Sequence, residues 1–317
     1  LAPGNVSVQP EEPEEGETPA ASGPNVMDID FDALIANETD STLKDMHEYF
    51  RDRTPTEKNQ YTGMFQGKNL LLFTGEAFWI GAVNEQYTPT LYKLAHSGFV
   101  FENFYNPLWY YSTVDGEYAA TTGLIPTNQV NASQRYAGKN GVSMYFSMGN
   151  QLRALGYPTL AYHNNTANYY DRNLSHPNLG YDFYACDTGL DVAMTWPQSD
   201  LEMMQLTLPQ ALAGEKPFHN YYMTVSGHMN YSFAGNAMSA KHRDEVADLD
   251  MSEAARAYLA CNMELDQALE YTIKTLEEAG ELENTVIVLS GDHYPYGLDG
   301  TGAIDDVYAR AKEVLGL

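Results

Sequence analysis

The sequence predicts an α/β fold, in which helices flank a mostly parallel central sheet on both faces. Short continuous apolar runs recur along the chain, as expected of parallel strands that are buried on both sides. Amphipathic stretches of helical period separate these runs, and capping residues mark their ends. Strands that alternate with helices are typical of a layered α/β domain. The 317 residues, of which 44% are hydrophobic, suffice for a sizeable core.

The first 40 residues differ in composition from the rest of the chain. They hold ten acidic residues and no Lys or Arg, and much of their first half is Pro, Gly, Ser and Ala. Such a segment cannot bury enough apolar surface to offset the entropy of ordering it. We therefore predict an acidic disordered linker over residues 1–40 and a folded domain over residues 41–317. A short helix from about Thr42 to Arg51 opens that domain.

Four apolar runs are predicted as strands. They are Asn69–Thr74 (NLLLFT), Thr159–Tyr162, Tyr221–Val225 and Thr285–Leu289 (TVIVL). Their length and their flanking polar residues favour strands over buried helices.

Capping signals define three helices between these strands. Thr88 and Pro89 are typical of a helix start, with Gly98 as its stop, and a second helix is expected to end at Gly156. The longest predicted helix runs from Ser252 to Ala279. Its apolar residues fall on one face, and a glycine follows it as a C-terminal cap.

Charge and cysteine usage exclude several classes of protein. The net charge is -26, and the 17 basic residues form no run, which argues against nucleic-acid binding. Cys186 and Cys261 could form one disulfide or remain two buried thiols, and neither lies in a CxxC pattern typical of structural zinc. No apolar run reaches the 18 to 20 or so residues of a membrane helix, and no signal peptide opens the chain.

Carboxylates or imidazoles follow all four predicted strands. Glu76 follows NLLLFT, His163 follows TLAY, His228 follows YYMTV, and Asp292 with His293 follows TVIVL. Taken alone, a histidine at a strand end is more often a loop residue bonded to backbone. However, the carboxyl ends of parallel strands share one edge of the sheet, where ligands bind. The set therefore predicts a metal site, with donors that suit Mn²⁺, Mg²⁺ or Zn²⁺.

A polar turn after an aromatic cluster holds a second candidate, in the segment Trp109–Glu117. By default Thr113 is expected to be a helix N-cap, with Glu117 in the first turn. A helix N-terminus also attracts phosphate. A hydroxyl that touches a divalent metal there is a plausible nucleophile, because the metal lowers its pKa. Both interpretations can hold together.

Five segments carry a resemblance to a known family. They are NLLLFTGEAFW, STVDGEYAATTGLIP, YHNNTANYYDRN, TVSGHMNY and VIVLSGDHYPYG, in that order along the chain. Together they resemble successive motifs of the lipoteichoic acid synthase family, which belongs to the alkaline phosphatase and sulfatase superfamily. The similarity runs from about Tyr61 to Gly297.

The resemblance implies a role for each candidate residue. One divalent ion, most typically Mn²⁺ and otherwise Mg²⁺ or Zn²⁺, would be held by Glu76, Thr113, Asp292 and His293, with Thr113 as the nucleophile. The phosphate and glycerol of the substrate would be held by His163, Tyr170, Arg172 and His228. The family usually has Trp where Tyr170 stands, so an aromatic contact survives there but the indole N–H does not.

The resemblance also implies a reaction and a location. Thr113 would attack phosphatidylglycerol, release diacylglycerol and carry glycerophosphate to a glycolipid or polyglycerolphosphate acceptor, building lipoteichoic acid chains. The family acts at the outer face of the cell membrane through N-terminal membrane helices that this sequence lacks. Family members also extend substantially further beyond the GDH motif, so the domain over residues 41–317 is expected to be truncated at its C-terminus.

Other functions remain open on the sequence alone. A related phosphoethanolamine or osmoregulated-glucan phosphoglycerol transferase or phosphodiesterase would share the metal and Thr113, although the TxDxE pattern starting at Thr113 favours the first interpretation. An inactive binding fragment is the alternative of a different class. Sulfate-ester hydrolysis is disfavoured, because neither cysteine lies in the C/S-x-P-x-R motif of sulfatases proper.

Overall fold

The computed structural model describes residues 22–26, 29–101, 104, 112–299, 305–307 and 309. The chain divides into two compact units, residues 1–66 and 67–317. The boundary therefore lies beyond the predicted division at residue 40. In the smaller unit, helix α1 spans Phe31–Asn37 and helix α2 spans Ser41–Arg51.

Helix α1 corrects part of the predicted linker. The Asp30 carboxylate accepts a hydrogen bond from Ala33 N at 2.9 Å, and the Asp40 carboxylate accepts from the first turn of α2. Both acidic residues are thus N-caps, which stabilise helix starts by satisfying free N–H groups. Composition alone did not reveal these local bonds, which give residues 31–37 a helix within the segment predicted as a linker. Residues 1–21 lie outside the described part of the chain.

The larger unit contains a five-stranded, fully parallel sheet in the part that the structure describes. Its strand order is β3-β2-β4-β1-β5. The strands are β1 Asn69–Gly75, β2 Thr159–His163, β3 Asp182–Ala185, β4 His219–Met223 and β5 Thr285–Gly291. The predicted parallel sheet is confirmed, although β4 begins two residues earlier than expected. Strand β3 was missed because it is only four residues long and two of them are exposed.

Eight α-helices are described in this unit. They are α3 Pro89–Ala95, α4 Thr113–Thr122, α5 Val130–Asn140, α6 Met148–Ala154, α7 Arg172–Asn178, α8 Asp200–Ala213, α9 Ala237–Lys241 and α10 Glu253–Glu278. The longest predicted helix is confirmed as α10, although Ser252 is its N-cap rather than its first helical residue, and Gly280 follows it with a φ of +70°. Helix α3 ends three residues before the predicted stop at Gly98. No helix in the described ranges is both long enough and apolar enough for a membrane span.

The sheet is covered on both faces, which explains the unbroken apolar run of β1. Leu71 and Phe73 pack against buried residues of α3, α8 and α10. Leu72 points to the opposite face, where it joins a cluster with Leu179 and Tyr181. Because successive side chains of a strand alternate between faces, a strand buried on both sides must be apolar throughout. The predicted placement of helices on both faces is confirmed.

Both cysteines are free thiols. Cys261 is fully buried in α10, where its Sγ donates to the carbonyl of Tyr258. Of the two alternatives open on the sequence, the structure selects the unpaired one.

A glycine brings helix α4 unusually close to the end of β5. A Cβ atom on Gly116 would lie 2.4 Å from both the Cα and the carbonyl oxygen of Asp292. Those are backbone atoms, so a rotating side chain cannot relieve the clash. The absence of a side chain at Gly116 therefore sets how closely α4 approaches the sheet edge.

Gly116→Ala should destabilise the protein, even though alanine is favoured over glycine in helices by about 1 kcal/mol. Overpacking against backbone costs about 1–3 kcal/mol, so urea denaturation should give a lower midpoint. Gly214→Ala is the matched control, because its Cβ would meet nothing closer than 3.4 Å, and it should change stability by less than about 0.5 kcal/mol. A Gly116→Ala protein as stable as the wild type would contradict this packing.

Candidate active site

The pairing of β1 with β5 places two carboxylates side by side. The parallel register aligns Gly75 with Gly291, so the residues that follow, Glu76 and Asp292, leave the sheet as neighbours. Asp292 N donates to the Gly75 carbonyl at 3.2 Å, and Ala77 N donates to Asp292 Oδ1 at 2.8 Å. Backbone hydrogen bonds thus fix both carboxylates at the carboxyl end of the sheet.

His293 and Thr113 complete a compact cluster with these carboxylates. His293 Nε2 lies 3.4 Å from Glu76 Oε1 and 3.4 Å from Asp292 Oδ2. One ligand atom from each of Glu76, Asp292 and His293 lies within 4.8 Å of the others. The Thr113 hydroxyl donates to Glu76 Oε2 at 3.3 Å and lies 3.5 Å from His293 Nε2. Residues separated by more than 200 positions therefore converge on one point.

The cluster brings two carboxylates and one imidazole together in a buried setting. Burial, together with the adjacent charge of Glu76, raises the pKa of Asp292 well above its ordinary value. Burial alone would lower the pKa of His293, but the carboxylates of Asp292 and Glu76 outweigh it and raise the pKa to about 9. Burial likewise opposes the ionisation of Glu76, yet contact with His293 leaves its pKa below the usual range. The imidazole is thus held by the same two carboxylates that would bind a cation.

The residues present fit a divalent metal ion. Asp292 Oδ2 is buried, has no hydrogen-bond partner among the residues that the structure describes, and faces the cluster. A buried carboxylate oxygen without a partner is costly, and metal coordination is one way to satisfy it. Two carboxylates, an imidazole and a hydroxyl are donors that Mn²⁺, Mg²⁺ and Zn²⁺ accept.

A buried ion pair forms the second half of the site. Glu117 accepts from Arg172 Nε at 3.0 Å and also from Arg172 Nη2. Arg172 Nη1 lies 3.3 Å from His163 Nε2, and His163 Nδ1 lies 3.1 Å from the Met223 carbonyl oxygen. These partners assign a neutral His163 that donates through Nδ1 and accepts through Nε2. His163, the last residue of β2, is therefore both bonded to backbone and a member of the site.

The charges of this second half are fixed at neutral pH. Burial opposes ionisation of Glu117, but Arg172 and His176 outweigh it and lower its pKa to about 2. Burial and then the charge of Arg172 lower the pKa of His163 to about 3. The site thus presents a guanidinium and an uncharged imidazole next to the cluster of Glu76, Asp292 and His293.

One cavity joins the two halves. It is lined by Glu76, Thr113, His163, Asn165, Tyr169, Tyr170, Arg172, Trp196, Val225, His228 and Tyr296. The His228 ring packs edge-on against Trp196, with 4.8 Å between ring centroids. The structure thus brings together six of the eight predicted site residues around this cavity. The other two, Asp292 and His293, contact Glu76 directly behind it.

Some features of the site differ from the sequence analysis or were missed by it. Ser112 precedes α4 with a φ of +54°, and Thr113 is the first helical residue rather than the N-cap. Glu117 is the buried partner of Arg172, not a capping residue, and its spacing of four from Thr113 could have placed both on one helix face. Trp196 and Tyr296 carried no local signal. Residues 109–111 of the predicted segment lie outside the described ranges.

Comparison with known proteins places this geometry in a family. The sulfatase family profile matches residues 68–310, which is most of the chain. The chain belongs to the sulfatase family. It carries Thr113 at the position where the cluster and the cavity meet.

Within that family, the chain is similar to curated lipoteichoic acid synthases. Lipoteichoic acid synthase 2 of Bacillus subtilis is 23% identical over 284 residues, which cover 85% of this chain and 42% of the relative. Lipoteichoic acid synthase of Staphylococcus saprophyticus is 24% identical over 273 residues, covering 82% of this chain and 41% of the relative. The chain thus spans about two fifths of the length of these curated relatives.

Solved structures show the same fold. A lipoteichoic acid synthase from Listeria monocytogenes superposes with a TM-score of 0.60 at 22% identity, covering 73% of this chain and 57% of that one. A protein of the alkaline phosphatase superfamily from Vibrio parahaemolyticus gives a TM-score of 0.57 at 20% identity, covering 72% and 55%. The predicted alkaline phosphatase and sulfatase-like architecture is confirmed.

Asp292→Asn should separate metal binding from folding. Asparagine keeps an oxygen for the N–H groups of Ala77 and His293, so the metal-free variant should stay within about 1 kcal/mol of the wild type. Mn²⁺ at a hundred times its dissociation constant should stabilise the wild type by about 2.7 kcal/mol. The variant should bind Mn²⁺ at least about a hundredfold more weakly than the wild type. Loss of a residue that only hydrogen-bonds to a metal ligand typically weakens metal binding by about 10- to 100-fold, and loss of a ligand itself should cost more.

The measurement is a thermal melt with and without Mn²⁺, together with a calorimetric titration. Equal Mn²⁺ stabilisation of the variant and the wild type would show that Asp292 is not a ligand. A metal-free variant that is unfolded at room temperature would show instead that the carboxylate is needed for folding.

Proposed function

We propose that this chain contains the catalytic domain of a metal-dependent phosphoglycerol transferase. The donor is phosphatidylglycerol, and glycerophosphate is carried transiently on Thr113. The observation that supports the proposal most strongly is the position of the Thr113 hydroxyl. It lies 3.3 Å from Glu76 and 3.5 Å from His293, and it opens onto a cavity that holds Arg172 and His163. The similarity to lipoteichoic acid synthases supports the same reaction class.

One divalent ion, which we propose to be Mn²⁺, would be held by Glu76, Thr113, Asp292 and His293. When bound, such an ion lowers the pKa of a coordinated hydroxyl and offsets charge on a phosphoryl group. The chain's own residues supply the rest of the chemistry.

The first step transfers glycerophosphate to the protein. The Thr113 oxygen forms a bond to phosphorus while the bond between phosphorus and the diacylglycerol oxygen breaks. The Thr113 hydroxyl loses its proton, and the leaving oxygen gains one, so diacylglycerol departs as a neutral alcohol. Splitting the reaction through a covalent intermediate replaces one difficult displacement with two easier ones.

The second step passes the group to an acceptor. A hydroxyl of a glycolipid or of a growing polyglycerolphosphate chain attacks phosphorus, and the bond between phosphorus and the Thr113 oxygen breaks. The acceptor proton is given up as the Thr113 oxygen regains one. The protein is thereby returned to its starting state, and the acceptor is one glycerophosphate unit longer.

Three side chains of the cavity are proposed to bind the substrate or move protons in these steps: Arg172, His163 and His228. Arg172 is anchored by Glu117, so its guanidinium can donate to the phosphoryl oxygens without reorganising. His163 is neutral, and His228 lies on the cavity wall, so each can exchange hydrogen bonds with the glycerol hydroxyls or relay a proton. Tyr170 adds an aromatic wall, where it can pack against the glycerol carbons.

The donor and acceptor suggest where the reaction takes place. Phosphatidylglycerol is a membrane lipid, so the cavity must work at a membrane surface. We propose the outer face of the cell membrane, where lipoteichoic acid chains are assembled.

Thr113→Ala should abolish transfer while leaving the fold intact, because only one partly buried hydroxyl and methyl are lost. We expect a fall in kcat of at least about a thousandfold, since positioning alone cannot replace the nucleophile. Thr113→Ser is the matched control, and it should keep measurable activity because the hydroxyl survives. The assay follows diacylglycerol release from fluorescent phosphatidylglycerol with Mn²⁺, with phosphatidylethanolamine as the competing donor.

Mass spectrometry of the intact wild type should also detect a glycerophosphate adduct that Thr113→Ala lacks. Activity in Thr113→Ala close to that of the wild type would rule out the covalent route. Preference for phosphatidylethanolamine over phosphatidylglycerol would favour the phosphoethanolamine transferase alternative.

A further inference from the structure

A single buried carboxylate contacts both the loop that directly follows His163, the last residue of β2, and the loop that carries His228. Asp200 is the first residue of α8, and only 1% of it is exposed. Its Oδ1 accepts from Asn164 Nδ2 at 2.9 Å and from Val225 N at 2.9 Å. One oxygen thus bonds to the loop after β2 and to the loop after β4.

The second oxygen of Asp200 makes two further hydrogen bonds to the loop after β4. Asp200 Oδ2 accepts from Ser226 N at 3.3 Å and also from the Ser226 hydroxyl. Asn164 directly follows His163, and Ser226 lies two residues before His228. Four donors from the loop after His163 and the loop that carries His228 therefore converge on one side chain.

Other contacts close the remaining sides of the turn that carries His228. Asn236 Nδ2 donates to the carbonyls of Ser226 at 3.0 Å and His228 at 2.8 Å. A Cβ on Gly227 would lie 2.2 Å from the Glu76 carbonyl oxygen, so the turn is already in close contact with that backbone. Asn236 and Glu76 contact the turn on its other sides. Asp200 is therefore the contact that sets the position of the turn relative to His163.

The choice of a carboxylate here is costly for the fold. Burial raises the pKa of Asp200 to about 6, although bonds from Ser226, Val225 and Asn164 oppose the rise. An uncharged amide would avoid that cost, but its own N–H groups would face the donors of Ser226. A carboxylate accepts from all four donors at once, because it is an acceptor only.

We propose that Asp200 is a positioning residue that sets the separation of His163 and His228, the two imidazoles that bind the phosphoglycerol group. This inference rests on the proposed function for the identity of the ligand. Asp200 acts through the two loops and does not line the cavity. Its loss should weaken substrate binding and leave the metal cluster unchanged, since that cluster belongs to the ends of β1 and β5.

The test compares Asp200→Asn with Asp266→Asn in the Mn²⁺-loaded protein. Asp266 is the matched control, because it is also a buried aspartate whose pKa is raised by burial to about 6. Its carboxylate accepts from Leu91 N at 2.7 Å in α3, in the main core. Both variants should lose stability to a similar degree, so any difference in binding cannot come from destabilisation.

We expect Asp200→Asn to raise the KM for fluorescent phosphatidylglycerol and the Kd for sn-glycerol 1-phosphate by about tenfold, which corresponds to about 1.4 kcal/mol. The Kd for Mn²⁺ should stay within about twofold of the wild type. Asp266→Asn should change none of these three constants by more than about twofold. Ser226→Ala removes one donor and leaves the carboxylate, so it should raise KM by a smaller factor, and it provides the test if Asp200→Asn does not fold.

Two results would overturn the inference. The first is that Asp200→Asn changes the KM and the glycerophosphate Kd no more than Asp266→Asn does. If Asp200→Asn does not fold, the same comparison is made with Ser226→Ala. The other is a loss of Mn²⁺ affinity that parallels the loss of substrate affinity, which would indicate general disruption of the site.

A crystal structure of Asp200→Asn separates this inference from the proposed function. A changed distance between His163 and His228 supports the positioning role, even if the wild type proves not to use phosphatidylglycerol. An unchanged distance contradicts it. Failure of the wild type to bind glycerophosphate or to cleave phosphatidylglycerol counts against the proposed function alone.

Discussion

The pairing of β1 with β5 is the constraint on which the rest of the site depends. Its register delivers Glu76 and Asp292 side by side, and both carboxylates are buried where water cannot offset their repulsion. Burial of like charges is unfavourable unless a cation or protons neutralise them. His293 supplies part of that compensation, and a divalent ion would supply the remainder. Sheet pairing and metal binding are therefore expected to stabilise each other, because the ion binds a geometry that only the folded sheet provides.

Helix α4 links this cluster to the half of the site that contains Arg172 and His163. Thr113 begins the helix beside the carboxylates, Gly116 lets it touch the backbone of Asp292, and Glu117 anchors Arg172. Residues spaced by three and four lie on one helix face, so a single helix aligns the Thr113 hydroxyl with the guanidinium of Arg172. Asp200 in turn bonds to the loop that follows His163 and to the loop that carries His228. The chemistry thus depends on a few buried polar contacts more than on the exposed surface.

The sequence predicted the parallel sheet and its functional edge because those features are local. An apolar run followed by a polar residue is visible at NLLLFTGE and at TVIVLSGDH without knowledge of the fold. The side-chain pairs that support the site were not visible in the sequence. The pairing of Glu117 with Arg172 spans 55 positions, and that of Asp200 with Ser226 depends on which strands become neighbours. Strand β3 was too short to carry a signal, and the caps of α1 and α2 were hidden in an acidic composition. The two side-chain pairings are long-range contacts that no local pattern encodes, whereas the caps are local bonds that composition alone does not reveal.

The most direct test of the account is the anomalous scattering of Mn²⁺ in crystals of the wild-type protein. The account predicts one strong anomalous peak at the carboxyl ends of β1 and β5. The peak should lie about 2.0–2.3 Å from oxygen or nitrogen atoms of Glu76, Thr113, Asp292 and His293. Crystals grown with excess Mn²⁺ that show no peak there, or a peak that Glu76 and Asp292 do not contact, would contradict it.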